Sequence, residues 1–338
     1  MSTIIIAEAG VNHNGDIDLA KKLVDAASQA NADYVKFQTF KADEIVTKDA
    51  KKSDYQIANT RNSESQYNML KSLELSKENH LELVEYCELR NIKFLSSAFD
   101  LDSLDFLINL DCSLIKIPSG EINNFHFLEK ISLENKPVIL STGISSIIEI
   151  ESAVKILTSN KLSINDITIL HCNTDYPTSM DDVNLRAMLN IKEHFSTKVG
   201  YSDHTLGIEV PIAAVALGAK VIEKHFTLDR SLDGPDHACS LEPFELKNMV
   251  DAIRNIEKAC SGSGLKEPTS SEMKNKLLVR KSVYLKNDVK KGTKLTKDMI
   301  IALRPGNGIS PMEIPNLIGK SFNKNLSAST KVSYEDFE

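Results

Sequence analysis

Residues 201–243 read YSDHTLGIEVPIAAVALGAKVIEKHFTLDRSLDGPDHACSLEP. The apolar run 210–217 lies between two polar ends and is followed by a glycine. This pattern predicts a loop, a helix and a strand in succession, with His204 and His225 at the two open ends. Imidazoles on rigid elements, with Asp and Glu nearby, suit a divalent metal. The spacing matches no metal-binding motif, so ordinary loop histidines remain an equal alternative at this point.

The same alternation of strand-like and helix-like segments extends over the first 260 residues. It starts with a β-branched strand at residues 3–7 and ends with a helix at residues 243–260, and it comprises eight strand–helix units. Strands that alternate with helices form parallel sheets, and eight units in this length favour a closed (β/α)8 TIM barrel. An open doubly wound sheet remains the alternative, because periodicity does not distinguish an open sheet from a closed one.

The composition changes after residue 260. Residues 261–280 begin with SGSGLKEPTSSE and are predicted to be a flexible or turn-rich linker. Residues 281–338 contain short strand-like pieces and turns, which indicate a small second domain. Inside the barrel, residues 41–65 are polar without clear periodicity and predict a long loop, a kind of segment that is more often functional than structural.

Charge and composition narrow the classes of partner and compartment. The net charge of −7 does not favour a nucleic-acid partner, so an anionic substrate would need a local basic site. No apolar run approaches the length of a membrane span, and the N-terminus lacks the basic region of a signal peptide. The five cysteines are scattered and odd in number, which fits reduced thiols and a cytoplasmic location.

Polar side chains end nearly every predicted strand, and in a TIM barrel catalytic residues lie at these C-terminal ends. Lys36 and Lys116 offer two positive charges, and neighbouring serines and glycines offer hydroxyls and backbone N–H groups. Together they predict a cradle for a phosphate or a phosphorylated carboxylate. The strand-end residues are Glu8, Lys36, Gln38, Ser96, Ser97, Lys116, Ser119, Glu121, Ser141, Thr142, His171, Asn173, Ser202, His204, Glu223 and His225.

Eight motifs distributed along the chain carry a family resemblance. They are IIIAEAGVNHNGD, VKFQTFKAD, KIPSGE, ILSTG, LHCNTDYPT, GYSDHTLG, EKHFTLDRSLDGPDHACSLEP and LRPGNGIS. In this order they make the chain resemble the sialic acid synthase family, which includes N-acetylneuraminate, legionaminic acid and pseudaminic acid synthases. The resemblance implies a TIM-barrel catalytic domain over residues 1–260 and an antifreeze-like (SAF) domain over residues 281–338.

The resemblance also implies a reaction, in which phosphoenolpyruvate condenses with an N-acylated mannose-type sugar to a nine-carbon 2-keto acid and phosphate is released. N-acetylneuraminate synthase is the primary expectation. The alternative is a legionaminic acid synthase that uses 2,4-diacetamido-2,4,6-trideoxymannose. The implied cofactor is Mn²⁺ or Mg²⁺ held by His204 and His225, where it would polarise the aldehyde oxygen. Two protein ligands leave positions open for water and substrate, which favours a hard octahedral ion.

Site residues carry over from the resemblance one by one. Glu8 would handle a proton, either from the attacking water or during opening of the sugar ring. Arg304 would reach the sugar's acyl group in the neighbouring subunit, so the resemblance implies a domain-swapped homodimer. Residues on the phosphoenolpyruvate side are Lys36, Ser97, Lys116, Ser119 and Ser141, with Ser202 nearby. The remaining substrate-binding residues are Gln38, Glu121, Thr174, Tyr176 and Asp236.

Some positions depart from the pattern or lack a role in it. Residues 96–99 read SSAF where many relatives have Ser-Thr-Pro-Phe, a change that keeps the hydroxyl but frees the loop. His237 has no metal role in the resemblance and is predicted to support the site or to face solvent. Cys172 and Cys239 are expected to be inert, because no base is specified beside either thiol.

Two functions of other kinds remain open. A metal-dependent aldolase or hydrolase on the same barrel would not need phosphoenolpyruvate, which would make the two lysines superfluous. A carbohydrate-binding or ice-binding-like protein is suggested by the C-terminal part, but it would leave the polar mouth of the barrel unexplained.

Overall fold

A computed structural model describes residues 2–60 and 64–338, so residues 61–63 of the predicted 41–65 loop lie outside the described part. The chain divides into two compact units, Met1–Gly262 and Ser263–Glu338. Within the described residues, no helix combines the length and the apolar character that crossing a bilayer requires.

The first unit is a closed barrel of eight parallel strands in sequence order, with β1 paired to both β2 and β8. This confirms the predicted TIM barrel and excludes the open sheet. The strands are β1 (Ile4–Gly10), β2 (Tyr34–Thr39), β3 (Lys93–Ala98), β4 (Ile115–Ile117), β5 (Val138–Ser141), β6 (Ile167–Cys172), β7 (Lys198–Asp203) and β8 (Val221–His225).

Helices follow every strand and cover the outside of the barrel, where a continuous apolar core joins strands to helices. Asp16 and Asp100 cap the helices after β1 and β3 by accepting backbone N–H bonds. The helices are α1 (Ile17–Gln29), α2 (Ala42–Ile45), α3 (Asp54–Thr60), α4 (Gln66–Leu73), α5 (Lys77–Leu89), α6 (Leu101–Asn109), α7 (Phe125–Ser132), α8 (Ile147–Leu157), α9 (Ala187–Phe195), α10 (Glu209–Ala216) and α11 (Pro243–Ala259).

The barrel interior is organised in levels because successive side chains of a strand point to opposite faces. The lowest of these levels is an apolar cluster with one residue from almost every strand. β7 contributes Gly200, where an added Cβ would lie 2.3 Å from the carbonyl oxygen of Val221 and 2.7 Å from the side chain of Leu170. The cluster comprises Ile6, Tyr34, Leu95, Leu114, Ile139, Leu170 and Val221.

Two residues further along each strand, the same face carries a second level that is polar and at most 5% exposed. We call it the polar level. A third level, two residues further again, includes both histidines. The polar level consists of Glu8, Lys36, Ser97, Lys116, Ser141, Cys172, Ser202 and Glu223.

The segment between β2 and α5 is more regular than the sequence indicates. Residues 41–65 are predicted to be a loop, yet α2 and α3 lie within this range and α4 follows at once. Helices of four and seven residues are too short to show a period of 3.6 in the sequence. Met69 and Leu73 of α4 bury their side chains against Val11 and Phe40, which ties this segment to the barrel mouth.

The second unit contains α12 (Ser270–Val279), β9 (Ser282–Leu285), β10 (Ile300–Leu303) and α13 (Ile314–Leu317). β9 and β10 form an antiparallel pair over a small core that includes Leu295 and Phe322. Much of α12 lies where a turn-rich linker is predicted. Its start is fixed by a capping box, in which Thr269 and Glu272 bond each other's backbone N–H groups.

Candidate active site

A cavity of about 250 Å³ opens at the C-terminal ends of the barrel strands. All eight residues of the polar level line it. Thirteen of the fifteen site residues predicted from the sequence line it as well. These thirteen are Glu8, Lys36, Gln38, Ser97, Lys116, Ser119, Ser141, Thr174, Tyr176, Ser202, His204, His225 and Asp236.

Two lysines occupy the floor of the cavity, and each is paired with a serine hydroxyl. Lys36 Nζ donates to Ser97 Oγ at 2.9 Å, and Lys116 Nζ donates to Ser141 Oγ at 2.7 Å. Both lysines are only 3% exposed. The lysines and hydroxyls offer several convergent donors to an anion, which is the arrangement that charge-assisted binding requires.

Ser119 lines the cavity beside this pair of lysines, and Gly143 packs against it. The backbone N–H of Gly143 donates to Ser119 Oγ at 2.9 Å. A Cβ at Gly143 would lie 2.5 Å from Thr174 Cγ2 and 3.0 Å from Ser119 Oγ, so only glycine fits here. The absence of a side chain lets the backbone of Gly143 pack closely against Ser119 and Thr174, which line the cavity.

Glu223 lies between the two lysines and joins them into one network. Its Oε1 is 3.6 Å from Lys116 Nζ, its Oε2 is 3.7 Å from Lys36 Nζ, and Oε1 also accepts from Ser202 Oγ at 3.0 Å. Burial alone would raise the pKa of Glu223, but the charges of Lys116 and Lys36 outweigh it and lower the pKa to about 2. Glu223 is therefore a fixed negative charge at neutral pH.

Glu8 is the second carboxyl of the polar level and behaves differently. Its Oε2 is 2.8 Å from Lys36 Nζ, while its Oε1 accepts from Gln38 at 3.4 Å. Burial raises the pKa of Glu8 to about 7, against the opposing effect of Lys36 and with a further rise from Glu223. A carboxyl that titrates near neutral pH can give or take a proton during a reaction.

His204 and His225 lie side by side at the level above, with ring centroids 5.4 Å apart. His204 Nδ1 bonds the carbonyl oxygen of Asn173, which fixes the proton on Nδ1 and leaves Nε2 with a free lone pair. Burial lowers the pKa of His204 to about 4, and burial together with the charge of His204 lowers that of His225 well below its usual value.

The donor set of this pair fits a divalent metal. Both imidazoles are neutral at pH 7, one is oriented by a backbone carbonyl, and Nδ1 of His225 is buried without a partner. Within residues 2–60 and 64–338, there is no group of three or more His, Cys, Asp or Glu side chains that could hold a metal ion. A metal here would have two protein ligands, with oxygen atoms of water or substrate completing its shell.

Aromatic and acidic residues form the upper part of the cavity. Tyr176 packs against His204 with ring centroids 4.1 Å apart and stacks on Tyr55 at 5.0 Å. Asp236 is 7% exposed, and its carboxylate makes no side-chain hydrogen bond in the part of the chain that the structure describes. Burial raises the pKa of Asp236 to about 6. This carboxylate is free to accept a bond from a bound hydroxyl or amide.

Two predicted residues do not line the cavity. Glu121 lies in a 3-10 turn, where its carboxylate accepts from Asn124 at 2.7 Å, so the local turn holds it away from the cavity wall. Arg304 belongs to the second unit, where its Nε donates to the carbonyl oxygen of Val279 at 3.0 Å.

Several cavity residues were not predicted as site residues. Glu223 could have been assigned to the site from the sequence, because it lies two positions before His225 and therefore on the same face of the strand. Tyr55 and Gln56 come from α3, which the sequence presents as part of a loop. Cys172 lines the cavity, but burial raises the pKa of its thiol, which agrees with an inert group.

His237 supports the site from behind the mouth. Its Nδ1 bonds Thr227 Oγ1 at 2.6 Å, and its Nε2 lies 3.2 Å from Asn14 Oδ1. The side chain is fully buried and links the loop after β1 to the loop after β8. Of the two roles predicted for His237, the structure therefore favours support of the site over exposure to solvent.

Comparison with known proteins agrees with this geometry. A model of the NeuB family matches residues 23–266, and a model of the SAF domain matches residues 280–338. The chain is 50% identical over 341 residues to the N,N'-diacetyllegionaminic acid synthase of Legionella pneumophila, with 100% of this chain and 95% of the relative covered. A Campylobacter jejuni protein of the same name is 51% identical over 323 residues, with 96% of each chain covered.

A solved structure shows the same architecture. The N-acetylneuraminic acid (sialic acid) synthetase of Leptospira borgpetersenii, in complex with citrate, superposes with a TM-score of 0.70 at 37% identity. The match covers 81% of this chain and 90% of that one. From its sequence, its barrel and its C-terminal module together, the chain belongs to the NeuB family and carries a SAF domain at residues 280–338.

Proposed function

We propose that this chain condenses phosphoenolpyruvate with 2,4-diacetamido-2,4,6-trideoxymannose to form N,N'-diacetyllegionaminic acid and phosphate. The observation that carries the proposal is one cavity in which two buried lysines lie below two neutral histidines. The lysines suit a phosphorylated carboxylate, and the histidines suit a metal that activates an aldehyde. An aldolase or hydrolase would leave the lysines without a ligand.

The reaction forms a bond between C3 of phosphoenolpyruvate and the aldehyde carbon of the open-chain sugar. Water then adds to C2, and phosphate leaves as the C–O bond at C2 breaks. Lys36 and Lys116 neutralise the carboxylate and phosphate charges, and the hydroxyls of Ser97 and Ser141 help to orient their oxygens. The attacking water becomes the C2 carbonyl oxygen and gives up two protons, of which one balances the proton taken up by the aldehyde oxygen and the other leaves with the phosphate.

Glu8 is the residue that handles a proton in this scheme. With a pKa of about 7 it exists in both forms at working pH. It can therefore accept a proton from the attacking water or assist opening of the sugar ring, and both roles remain candidates. Its protonation also matters for binding, because neutral Glu8 leaves the two lysines opposed by Glu223 alone.

His204 and His225 would hold the metal, Mn²⁺ or Mg²⁺. When bound, the ion would supply Lewis-acid polarisation of the aldehyde oxygen. The protein's own contribution is to keep both imidazoles neutral and, through Asn173, to aim one of them. The aromatic face of Tyr176 packs against His204 and restricts water beside it.

The choice of sugar follows the relatives. Two proteins named N,N'-diacetyllegionaminic acid synthase share about half of their residues with this chain over nearly its full length. N-acetylneuraminate synthase, the primary expectation from the sequence, is the second candidate, and the 37% identical Leptospira structure favours it. The greater identity to the first group makes the diacetamido sugar the better-supported substrate.

A domain-swapped homodimer is part of the proposal. Residues 263–338 contain 14 Lys and Arg against eight Asp and Glu, which gives a net charge of +6. The first unit contains the remaining 26 Lys and Arg and 39 Asp and Glu, which gives a net charge of −13. Opposite charges of this size favour docking of a second unit on a barrel, and the exchange between two chains is what the family resemblance implies. Arg304 would then reach the partner's cavity. We also expect a cytoplasmic enzyme, in line with the five free cysteines.

The test is phosphate release by the purified full-length protein with phosphoenolpyruvate and Mn²⁺, with either 2,4-diacetamido-2,4,6-trideoxymannose or N-acetylmannosamine. We expect the diacetamido sugar to give the higher kcat/KM. A higher kcat/KM for N-acetylmannosamine would replace the proposed sugar with the second candidate. No phosphate release with any N-acylated mannose-type sugar would reject the condensation itself.

A further inference from the structure

A fully buried ion pair lies directly behind the two histidines. Asp203 and Lys224 are register partners across β7 and β8, and each immediately precedes a histidine, His204 and His225 respectively. Lys224 Nζ is 2.5 Å from Asp203 Oδ2, and both side chains are 0% exposed. Neighbouring residues on a strand point to opposite faces, so the pair occupies the side of the wall away from the cavity.

Thr205 closes this pair into a ring around His204. Its backbone N–H donates to Asp203 Oδ1 at 3.1 Å and its hydroxyl donates to Oδ2 at 3.0 Å. Its carbonyl oxygen accepts a bond from Lys224 Nζ. The main chain on both sides of His204 is therefore tied to the residue that precedes His225. Any displacement of the ring moves one imidazole relative to the other.

The ring differs from the hydrogen bonds of His204 itself in the strand that it reaches. Asn173 orients the imidazole through Nδ1, and the backbone N–H of Thr178 donates to the carbonyl oxygen of His204 at 2.9 Å. Both contacts join His204 to the segment after β6. The ring instead joins Asp203 and Thr205, the residues on either side of His204, to β8, the strand that carries His225. The bond from Ser202 to Glu223 crosses the same two strands two residues earlier.

Stability alone is a weak explanation for this pair. Burial removes both charges from water, and apolar side chains of similar volume often stabilise a core equally well. None of the three ring residues lines the cavity, so none meets a substrate there. We infer that the ring of Asp203, Lys224 and Thr205 is a positioning device that sets the spacing of the two imidazoles and thereby the affinity of the site for its divalent metal. This inference rests on the metal site of the proposed function.

The test is Mn²⁺ binding by the full-length double variant Asp203→Asn/Lys224→Met, followed by electron paramagnetic resonance without either substrate. These changes remove both charges together, so no lone charge stays buried, and they nearly keep side-chain volume. We expect a roughly tenfold or larger rise in the Mn²⁺ Kd, the size seen when groups that support metal ligands are removed. Thermal unfolding of the same sample reports the cost in stability.

A matched control is the double variant Asp33→Asn/Arg254→Met. This pair, with an N–O distance of 2.8 Å, joins α11 to the opposite end of the barrel. It should lower the Tm without changing the Mn²⁺ Kd. An unchanged Kd in the Asp203/Lys224 variant would overturn the inference, and so would equal weakening in both double variants. If the first variant does not fold, Thr205→Val removes one bond of the ring and has to raise the Kd on its own.

Failure of this inference is separable from failure of the proposed function. Wild-type protein that releases phosphate but binds no Mn²⁺ would sink the inference and leave the condensation in place. Wild-type protein that binds Mn²⁺ with the expected dependence on the ring, but releases no phosphate, would support the inference and reject the condensation.

Discussion

The Oε1 atom of Glu223 lies 3.6 Å from Nζ of Lys116, and both side chains are almost completely buried at the floor of the barrel cavity. Of the two charges, that of Lys116 is the less stable, because burial lowers the pKa of Lys116 despite the opposing effect of Glu223. An incoming anion would stabilise the charged form of Lys116. Binding of phosphoenolpyruvate should therefore depend on this lysine more than on any exposed cation.

Lys116→Met should raise the KM for phosphoenolpyruvate by about tenfold to a hundredfold, since a hydrogen bond to a charged group contributes roughly 1.5–3 kcal/mol. The KM for the sugar should change little. Steady-state kinetics with each substrate varied in turn provides the measurement. Lys130→Met, which breaks an exposed pair with Asp105, is the control. A selective rise in the sugar KM would contradict the assigned role.

His225→Ala should abolish metal-dependent turnover while the fold survives, because a site with two protein ligands loses half of them. Circular dichroism and the Tm check the fold, and phosphate release across a Mn²⁺ titration checks turnover. Treatment of wild-type protein with a chelator should produce the same loss, reversed by adding Mn²⁺. The exposed His126→Ala serves as control. Full activity of His225→Ala would rule out the ligand role.

Asp236 should make stability depend on pH in the metal-free protein. Burial raises its pKa from 3.8 to about 6, so the folded protein holds this proton more tightly than the unfolded chain. The contribution is fully present below about pH 4 and is lost as pH rises through 6. The shift corresponds to about 3 kcal/mol at most.

Asp236→Asn should therefore be more stable than wild type at pH 8, and the difference should vanish towards pH 4. Urea unfolding at both pH values measures it, with the exposed Asp181→Asn as control. The variant should also bind the sugar more weakly, because the free carboxylate acceptor is gone. Equal stability of variant and wild type at pH 8 would argue against a buried, unpaired carboxylate.

Arg304→Ala should raise the KM for the sugar more than the KM for phosphoenolpyruvate. Complementation tests whether the arginine acts between subunits. Mixing Arg304→Ala chains with His225→Ala chains, after dissociation and reassembly, should restore about a quarter of wild-type activity, because half of randomly formed dimers are mixed and each has one complete site. No recovery in the mixture would argue against exchange, and equal effects on both KM values would argue against contact with the sugar.

Gly200→Ala should destabilise the barrel by about 1–3 kcal/mol, the usual cost of overpacking a core. The added Cβ would meet backbone and side-chain atoms at 2.3 and 2.7 Å. Gly120→Ala is the matched control, because nothing lies within 4 Å of the position its Cβ would take. Urea unfolding of both variants provides the comparison, and equal stability would contradict the packing described for β7.

The sequence predicts the barrel well because a single physical rule, the alternation of strands with covering helices, extends over the whole first unit. The same period of two places Glu223 and His225 on one face of β8. The sequence places Glu223 at a strand end, but no local pattern indicates that its carboxylate lies between two lysines of other strands.

Other features depend on contacts that local patterns do not encode. The bond from His204 to the carbonyl oxygen of Asn173 joins the segments that follow β7 and β6 and forms only once these two strands pair. The stacking of Tyr55 on Tyr176 requires α3, a helix of two turns without a visible period. For Glu121 the motif predicts a substrate-binding residue, whereas in the structure a local turn bonds its carboxylate to Asn124.

The apolar level beneath the polar level has a consequence for the order of events. It fills the barrel interior beneath the lysines, and in the described part of the chain the cavity opens at the strand ends. A substrate held by Lys36 and Lys116 lies beneath the level of His204, so we expect it to bind before the substrate that occupies the upper level. We therefore expect ordered addition in steady-state kinetics, with phosphoenolpyruvate first and the sugar second, as a consequence of the two-residue alternation of the strands.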